Sequence, residues 1–249
     1  MFELALDPTT LAVLCAAALA AGFIDAIAGG GGLLTVPALL TAGLPPHVTL
    51  GTNKLAASFG SLTASYTYYK KNLFSPKFWA SSIIATGIGA LIGTLVVDHL
   101  SIDFLNKLLP IIIIMVACYS LFGSLSTTQG DQLPSKSPAL KVKQWLQGLA
   151  LGFFDGVAGP GAGTFWTASN SLLYKMSLLL NCGLARSMNF VSNFISLITF
   201  VALGHVNFLL GLIMGLFIMF GAWIGAHSAI RFGGKFIRPV FNTMVILLA

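Results

Sequence analysis

Four charged residues sit inside stretches that are otherwise apolar: Asp25, Lys54, Asp155 and Arg186. A charge at membrane depth costs about 3 kcal/mol or more on insertion scales, so such residues usually face the protein interior and have a task there. Next to the two aspartates lie two interruptions, Gly29-Gly30-Gly31-Gly32 and Gly159-Pro160-Gly161-Ala162-Gly163. Glycine runs and proline break helices. The helix that resumes after each break, near Leu33 and near Thr164, begins with N–H groups that have no intrahelical partner. With the helix dipole behind them, those groups attract an anion, and glycine lets a ligand come close to the backbone. The candidate anion-binding set is therefore Lys54 and Arg186 for charge, Gly30, Gly31, Gly32, Gly161, Gly163 and Thr164 at the breaks, and the amides Asn53, Asn189 and Asn193 on the segments that carry the two cations.

Each assignment has a plainer alternative. The glycines also suit close helix packing, and Lys54, about one turn into its segment, could extend to the membrane surface. Asp25 and Asp155 fit two roles: a titrating carboxylate that couples a proton to transport, or a cap for free N–H groups and partner for a basic residue. Thr52, Ser58 and Ser192 on the same segments could line a site or bridge helices. His47, His99 and His205 lie at segment ends and His227 late in a segment, where interfacial roles are common. No metal cluster, hydrolytic triad or GxxxxGKS/T loop is present in the sequence, so no metal, cofactor or enzymatic activity is expected.

The elements that hold these residues follow from composition. The 249 residues are 56% hydrophobic and 8% charged, with mean hydropathy +0.90. Soluble domains run near 25% charged, so the solvent is lipid. The net charge of +6 comes from scattered Lys and Arg and does not form a nucleic-acid surface. Cys15, Cys118 and Cys182 have no CxxC spacing and read as small buried hydrophobes. The apolar run Leu11–Ala21 follows Glu3 and Asp7 rather than basic residues, which favours a first membrane helix over a signal peptide.

Six stretches approach the ~20 residues of a full span: Val48–Tyr69, Phe78–Val97, Leu105–Leu125, Asn181–Leu203, Phe208–Ile230 and Phe236–Ala249. Two more, Thr9–Ala42 and Gln144–Tyr174, are the interrupted ones. They are copies: Gly22-Phe23-Ile24-Asp25 matches Gly152-Phe153-Phe154-Asp155 at an offset of 130, and Gly51 to Lys54 falls on Gly183 to Arg186 at an offset of 132. The chain is thus expected to be a duplication, with a first repeat over 1–125, a linker over 126–143 and a second repeat over 144–249.

If each interrupted element enters the membrane and returns to the same side, Lys70, Lys71, Lys77, Lys136, Lys141, Lys143, Lys175, Arg231, Lys235 and Arg238 share one side and only Lys107 lies opposite. If each crosses, the bias vanishes. The positive-inside rule selects the first arrangement. The expectation is an all-α polytopic membrane bundle of two inverted repeats, each a glycine-broken re-entrant hairpin followed by three transmembrane spans, with the N-terminus outside and the linker cytoplasmic. Inverted repeats with broken helices are a transporter architecture with the site at the repeat interface. On this reading Lys54→Ala abolishes transport and leaves folding intact. An anion channel with a glycine-rich backbone filter is the alternative.

The segment from Gly22-Phe23-Ile24-Asp25 through Gly29-Gly30-Gly31-Gly32-Leu33-Leu34-Thr35-Val36-Pro37, with Gly51-Thr52-Asn53-Lys54-Leu55 and the second copy at Gly152–Thr164, resembles the TauE/SafE sulfite-exporter family, in particular its YfcA-like branch. The resemblance covers nearly the whole chain. It implies a bacterial inner-membrane permease, an exporter of sulfite, sulfonates, sulfoacetate or related small anions, driven by ion gradients. Arg186 departs from the Lys often found there, which replaces a point charge by a bidentate fork. The partners expected are the lipid bilayer and a small anionic solute, with a homo-oligomer left open and no nucleic acid.

Overall fold

The computed structural model describes residues 7–122, 130, 132–234, 236, 237 and 239. Among the described residues the chain forms nine helices and no strand: α1 (Pro8–Ile27), α2 (Gly32–Thr41), α3 (Pro46–Lys70), α4 (Ala80–Asp98), α5 (Ile102–Phe122), α6 (Pro138–Val157), α7 (Ala162–Tyr174), α8 (Leu178–Ala202) and α9 (Phe208–Phe232). Helices α1, α4, α8 and α9 are long and apolar enough to cross a membrane. Helices α2 and α7 have 10 and 13 residues, about 15 and 20 Å at 1.5 Å per residue, which is roughly half to two-thirds of a bilayer core. The expected span at Phe236–Ala249, with Lys235 and Arg238, lies outside the described residues apart from positions 236, 237 and 239, as do Glu3 and the first part of the linker.

Local sequence sets the helix ends. Asp7 accepts from the Thr10 N–H ahead of Pro8. Ser137 caps the Leu140 N–H ahead of Pro138, so α6 begins six residues before the end of the expected linker. Side-chain caps followed by proline at the first helical position favour such starts. Of the three cysteines only Cys182 is buried; Cys118 is exposed and Cys15 partly so. Cys118 lies on α5, where Ile111, Ile114 and Met115 are exposed as well. The expectation of three buried thiols fails because an apolar stretch in lipid need not face inward.

The surface is apolar and the interior carries polar groups. Ile84, Ile88, Leu91 and Leu95 on α4 and Leu209, Leu212, Leu216 and Phe220 on α9 are exposed, while Thr35, Asn53, Lys54, Asp155, Asn170, Arg186 and Ser192 are buried. In lipid, helices associate through close packing rather than apolar burial, and two glycine-lined pairs supply it. Helix α4 packs along α6, and α1 along α9. A Cβ on Gly22 would strike the backbone of Ile218, and one on Gly152 the backbone of Thr86; a Cβ on Gly221 would strike Leu19 and Phe23, and one on Gly89 would strike Leu149 and Phe153. With the offsets of 130 and 132, each of these contacts maps onto its counterpart in the other half.

The ends of the elements gather at two poles. Leu14, Leu39, Leu44, Val48 and Leu210 share one cluster, which joins α1, the end of α2, the start of α3 and the start of α9. Phe74, Trp79, Leu140, Tyr174 and Leu180 share another, which joins the end of α3, the start of α4, the start of α6, the end of α7 and the start of α8. Hairpin α6–α7 thus leaves and returns at the Trp79 pole. Gln147 ties its two arms through Ser169 (2.6 Å), Asn170 (2.8 Å) and the Tyr174 hydroxyl (2.7 Å). Near the far end of α4, His205 bonds Asp98 at 2.8 Å, and the His47 ring lies 5.2 Å from that of His205.

Candidate functional site

The two breaks meet in the middle of the bundle. Gly29 has φ +76° and Gly161 φ +81°, backbone that disfavours any side chain. A Cβ on Gly163 would come within 3.0 Å of the Gly29 Cα, and one on Gly32 within 3.1 Å of the Pro160 Cα. The Thr164 hydroxyl donates to the Gly29 carbonyl across the same contact.

The four intramembrane charges form two crossed pairs. Lys54 on α3 holds Asp155 on α6: its Nζ donates to the Asp155 carboxylate at 2.6 Å, to the Asp155 backbone carbonyl at 2.7 Å and to the Asn193 side-chain oxygen at 3.1 Å. An ammonium has three protons, and all three are engaged. Ser192 donates to the other Asp155 oxygen. Arg186 on α8 turns to Asp25 on α1: Nη1 donates to the Asp25 carbonyl and lies 3.6 Å from its carboxylate. Nη2 reaches the Gly163 carbonyl at 2.9 Å and the Thr167 hydroxyl at 3.4 Å. Arg186 thereby ties one break to the other, and its buried Nε has no partner among the described residues. Each cation also sits at the carbonyl end of the helix that precedes a break, where the dipole favours positive charge.

The two aspartates differ. Asp25 turns its carboxylate onto its own break: Oδ1 accepts from the N–H groups of Gly30 (3.0 Å) and Gly31 (3.1 Å), and Oδ2 from the Asn189 amide (3.4 Å). In the second copy Pro160 stands where Gly30 stands in the first. It has no N–H to offer, and Asp155 is bound by Lys54 and Ser192 instead.

Between the breaks lies a small cavity in which the centre of a water molecule has about 30 Å³ to move. Asp25, Gly30, Gly31, Gly32, Thr35, Asn53, Gly161, Gly163, Asn189 and Asn193 all line it; Lys54, Asp155, Arg186 and Thr164 do not. The two cations act on this space through their potential and through the groups they orient. Lys54 can only donate, so the oxygen of Asn193 faces it and the Asn193 amide nitrogen is left without a partner among the described residues. The N–H groups of Gly32, Gly161 and Gly163 likewise find no acceptor among the described residues. The cavity is therefore lined by open donors from both halves and by one carboxylate.

Other polar residues on these segments have helix-bridging or local roles. Thr52 accepts from the Asn207 N–H (3.0 Å) and Ser58 donates to its own helix at Lys54. Sequence reasoning missed Thr35, whose hydroxyl lies 2.6 Å from the Asn53 oxygen, and the carbonyl caps at the end of α1, where Tyr68 donates to Ala26 (3.0 Å) and Cys182 to Ile27 (3.4 Å). Thr35 stands four residues after Gly31, as Thr167 stands four after Gly163, a spacing that could have pointed to both. Among the described residues no group of His, Cys, Asp or Glu could hold a metal ion.

Apolar helices around two half-length helices that meet at a donor-lined cavity define a polytopic helical membrane protein. The chain belongs to the family described as sulfite exporter TauE/SafE, which it matches over residues 14–249. It is a membrane transporter of that family. It is 37% identical over 241 residues to a Sinorhizobium protein named "Probable membrane transporter protein ORF9", covering 96% of this chain and 90% of that one. It is 34% identical over 238 residues to a "Probable membrane transporter protein" of Haemophilus influenzae (96% and 92% covered) and 35% identical over 234 residues to the "Probable membrane transporter protein YfcA" of Escherichia coli K12 (94% and 86% covered). No solved structure matches.

Proposed function

We propose that this protein is a secondary transporter that carries a small, sulfur-containing or organic anion across the bacterial inner membrane. The observation that supports this best is the cavity shared by both breaks, where the starts of α2 and α7 and the Asn193 amide present donors from the two halves. Helix N-termini and unpaired amides favour an anion. The family's description as sulfite exporter suggests sulfite, a sulfonate or sulfoacetate as the class to test.

On this reading the halves are inverted repeats. One hairpin opens at the pole of Leu14 and Leu210 and the other at the pole of Trp79 and Tyr174, and the crossed contacts support exchange of the two halves. The Trp79 pole, with Lys70, Lys71, Lys77, Lys136, Lys141 and Lys143 near it in sequence, is cytoplasmic. The N-terminus is outside, and one half rocks against the other around the breaks to open the cavity to each side in turn.

The test is a stability screen of the purified protein against sulfite, thiosulfate, sulfoacetate, taurine, small carboxylates and chloride, followed by counterflow in proteoliposomes. A ligand of the native state raises its stability with the logarithm of concentration. The expected result is a stabilising anion that also drives uphill counterflow. Stabilisation with flux but no counterflow would favour a channel, and no effect of any anion on well-folded protein would sink the anion reading.

A further inference from the structure

We propose that Asp25 is the proton carrier of this transporter: an anion enters the cavity only together with a proton that neutralises the Asp25 carboxylate. This rests on the anion-transport reading above and adds the coupling ion, its stoichiometry and its residue.

The two aspartates occupy equivalent positions in the repeat and have unequal surroundings. Asp155 has 1% of its side chain exposed, is held at 2.6 Å by a cation that is itself 1% exposed, and receives Ser192 as well. It has no opening to the cavity. Asp25 has 18% of its side chain exposed, lies 3.6 Å from its cation, and lines the cavity. Its ring of donors is made of neutral groups that any anion could use: the N–H groups of Gly30 and Gly31 and the Asn189 amide. Ionised Asp25 thus behaves as an anion already seated at the start of α2.

The charged and titratable groups around Asp25 are few. Among the described residues Arg186 on α8 is the one cation that faces it. Lys54 on α3 is turned to Asp155. Tyr68 on α3 and Cys182 on α8 touch α1 only through the carbonyls of Ala26 and Ile27. Thr35 from α2, Asn53 and Ala57 from α3, Asn189 and Asn193 from α8 and Ile218 from α9 line the same space without charge. One carboxylate and one guanidinium therefore balance. An added anion beside an ionised Asp25 would place two like charges in one small cavity, where repulsion is poorly screened. With the proton taken up, the carboxylate becomes a carboxylic acid and the anion takes over its charge. For a monoanion the site's net charge is then unchanged, and the loaded site can turn to the other side. One proton moves with each anion in the same direction. Net flux follows the sum of the anion and pH gradients, so export occurs when the outward anion gradient exceeds the inward proton gradient.

The experiment measures proton uptake by purified protein in weakly buffered detergent solution on addition of methanesulfonate and of chloride, monoanions whose own charges stay fixed from about pH 5 to about pH 8. The expected result is about one proton taken up per anion bound, with anion affinity falling by up to about tenfold per pH unit as pH rises. Asp25→Asn is expected to bind without proton uptake and with a flat pH profile. Binding to the native protein without proton uptake overturns the proposal and leaves the anion reading standing. So does an Asp25→Asn variant that keeps the native pH profile. Should Asp25→Asn fail to fold, the stoichiometry of the native protein decides alone. If neither anion, nor any other in the screen, binds folded protein, the anion reading fails and this proposal with it.

Discussion

Lys54 of α3 and Asp155 of α6 are joined at 2.6 Å with both side chains 1% exposed, a pair that ties the first half of the chain to the second. Its counterpart, Arg186 of α8 with Asp25 of α1, ties the second half to the first at 3.6 Å. The crossed pairs make each break depend on a cation from the other half.

Removing one member of the first pair leaves a buried, uncompensated charge. Lys54→Ala is expected to lower stability by about 3–5 kcal/mol and to abolish transport. The buried pair therefore changes the expectation drawn from sequence alone, that folding survives this change. Lys54→Met with Asp155→Leu should recover most of the lost stability without recovering transport. Thermal unfolding of the single and double variants, beside vesicle flux, checks both statements.

Arg186 holds both breaks through two arms of one planar group, on the Asp25 and Gly163 carbonyls. Arg186→Lys keeps the charge but can reach only one of them. The expected loss is about 1.5–3 kcal/mol, the worth of one charged hydrogen bond, with slower transport. An unchanged melting temperature would show that the bridge contributes nothing.

Backbone packing at the breaks predicts a contrast between glycines. Gly29→Ala would place a methyl group against Gly163 and the Arg186 guanidinium, at φ +76°, and should prevent stable folding or transport. Gly43→Ala, at φ +88° with nothing within 4 Å, should cost only about 1–2 kcal/mol of backbone strain. Size-exclusion profiles and melting curves of the two variants separate them.

The matched helix pairs predict matched defects. Gly89→Leu on α4 and Gly221→Leu on α9 should destabilise by similar amounts, at least about 1–3 kcal/mol each. Ile88→Ala on the exposed face of α4 should fall within about 0.5 kcal/mol of the native protein. Unequal losses at Gly89 and Gly221 would argue against equivalent packing in the two halves.

Topology is checked by labelling in a background without Cys15, Cys118 and Cys182. A cysteine at Ser135, ahead of α6, and one at Lys175, after α7, should both react with an impermeant reagent only from the cytoplasmic side. Labelling of the two from opposite sides would remove the re-entrant arrangement.

The sequence by itself determined the helices, the two breaks and their duplication. These are local matters: apolar runs near 20 residues, glycine and proline that interrupt them, and a repeated Gly-Phe-x-Asp. It also marked Asp25, Lys54, Asp155 and Arg186, because a charge in an apolar run is costly enough to need a reason. Only the tertiary structure decided how those charges are used. Pairing across the halves depends on α3 lying beside the end of α6, and α8 beside the end of α1, more than a hundred residues away in the chain. Spacing alone points Lys54 and Arg186 at a ligand; packing turns them onto carboxylates and helix ends and leaves the cavity to backbone N–H groups and amides. The difference between Asp25 and Asp155 was likewise not legible, since identical residues in matched motifs diverge through one neighbour, Pro160 in place of Gly30, and through how far each carboxylate lies from its cation.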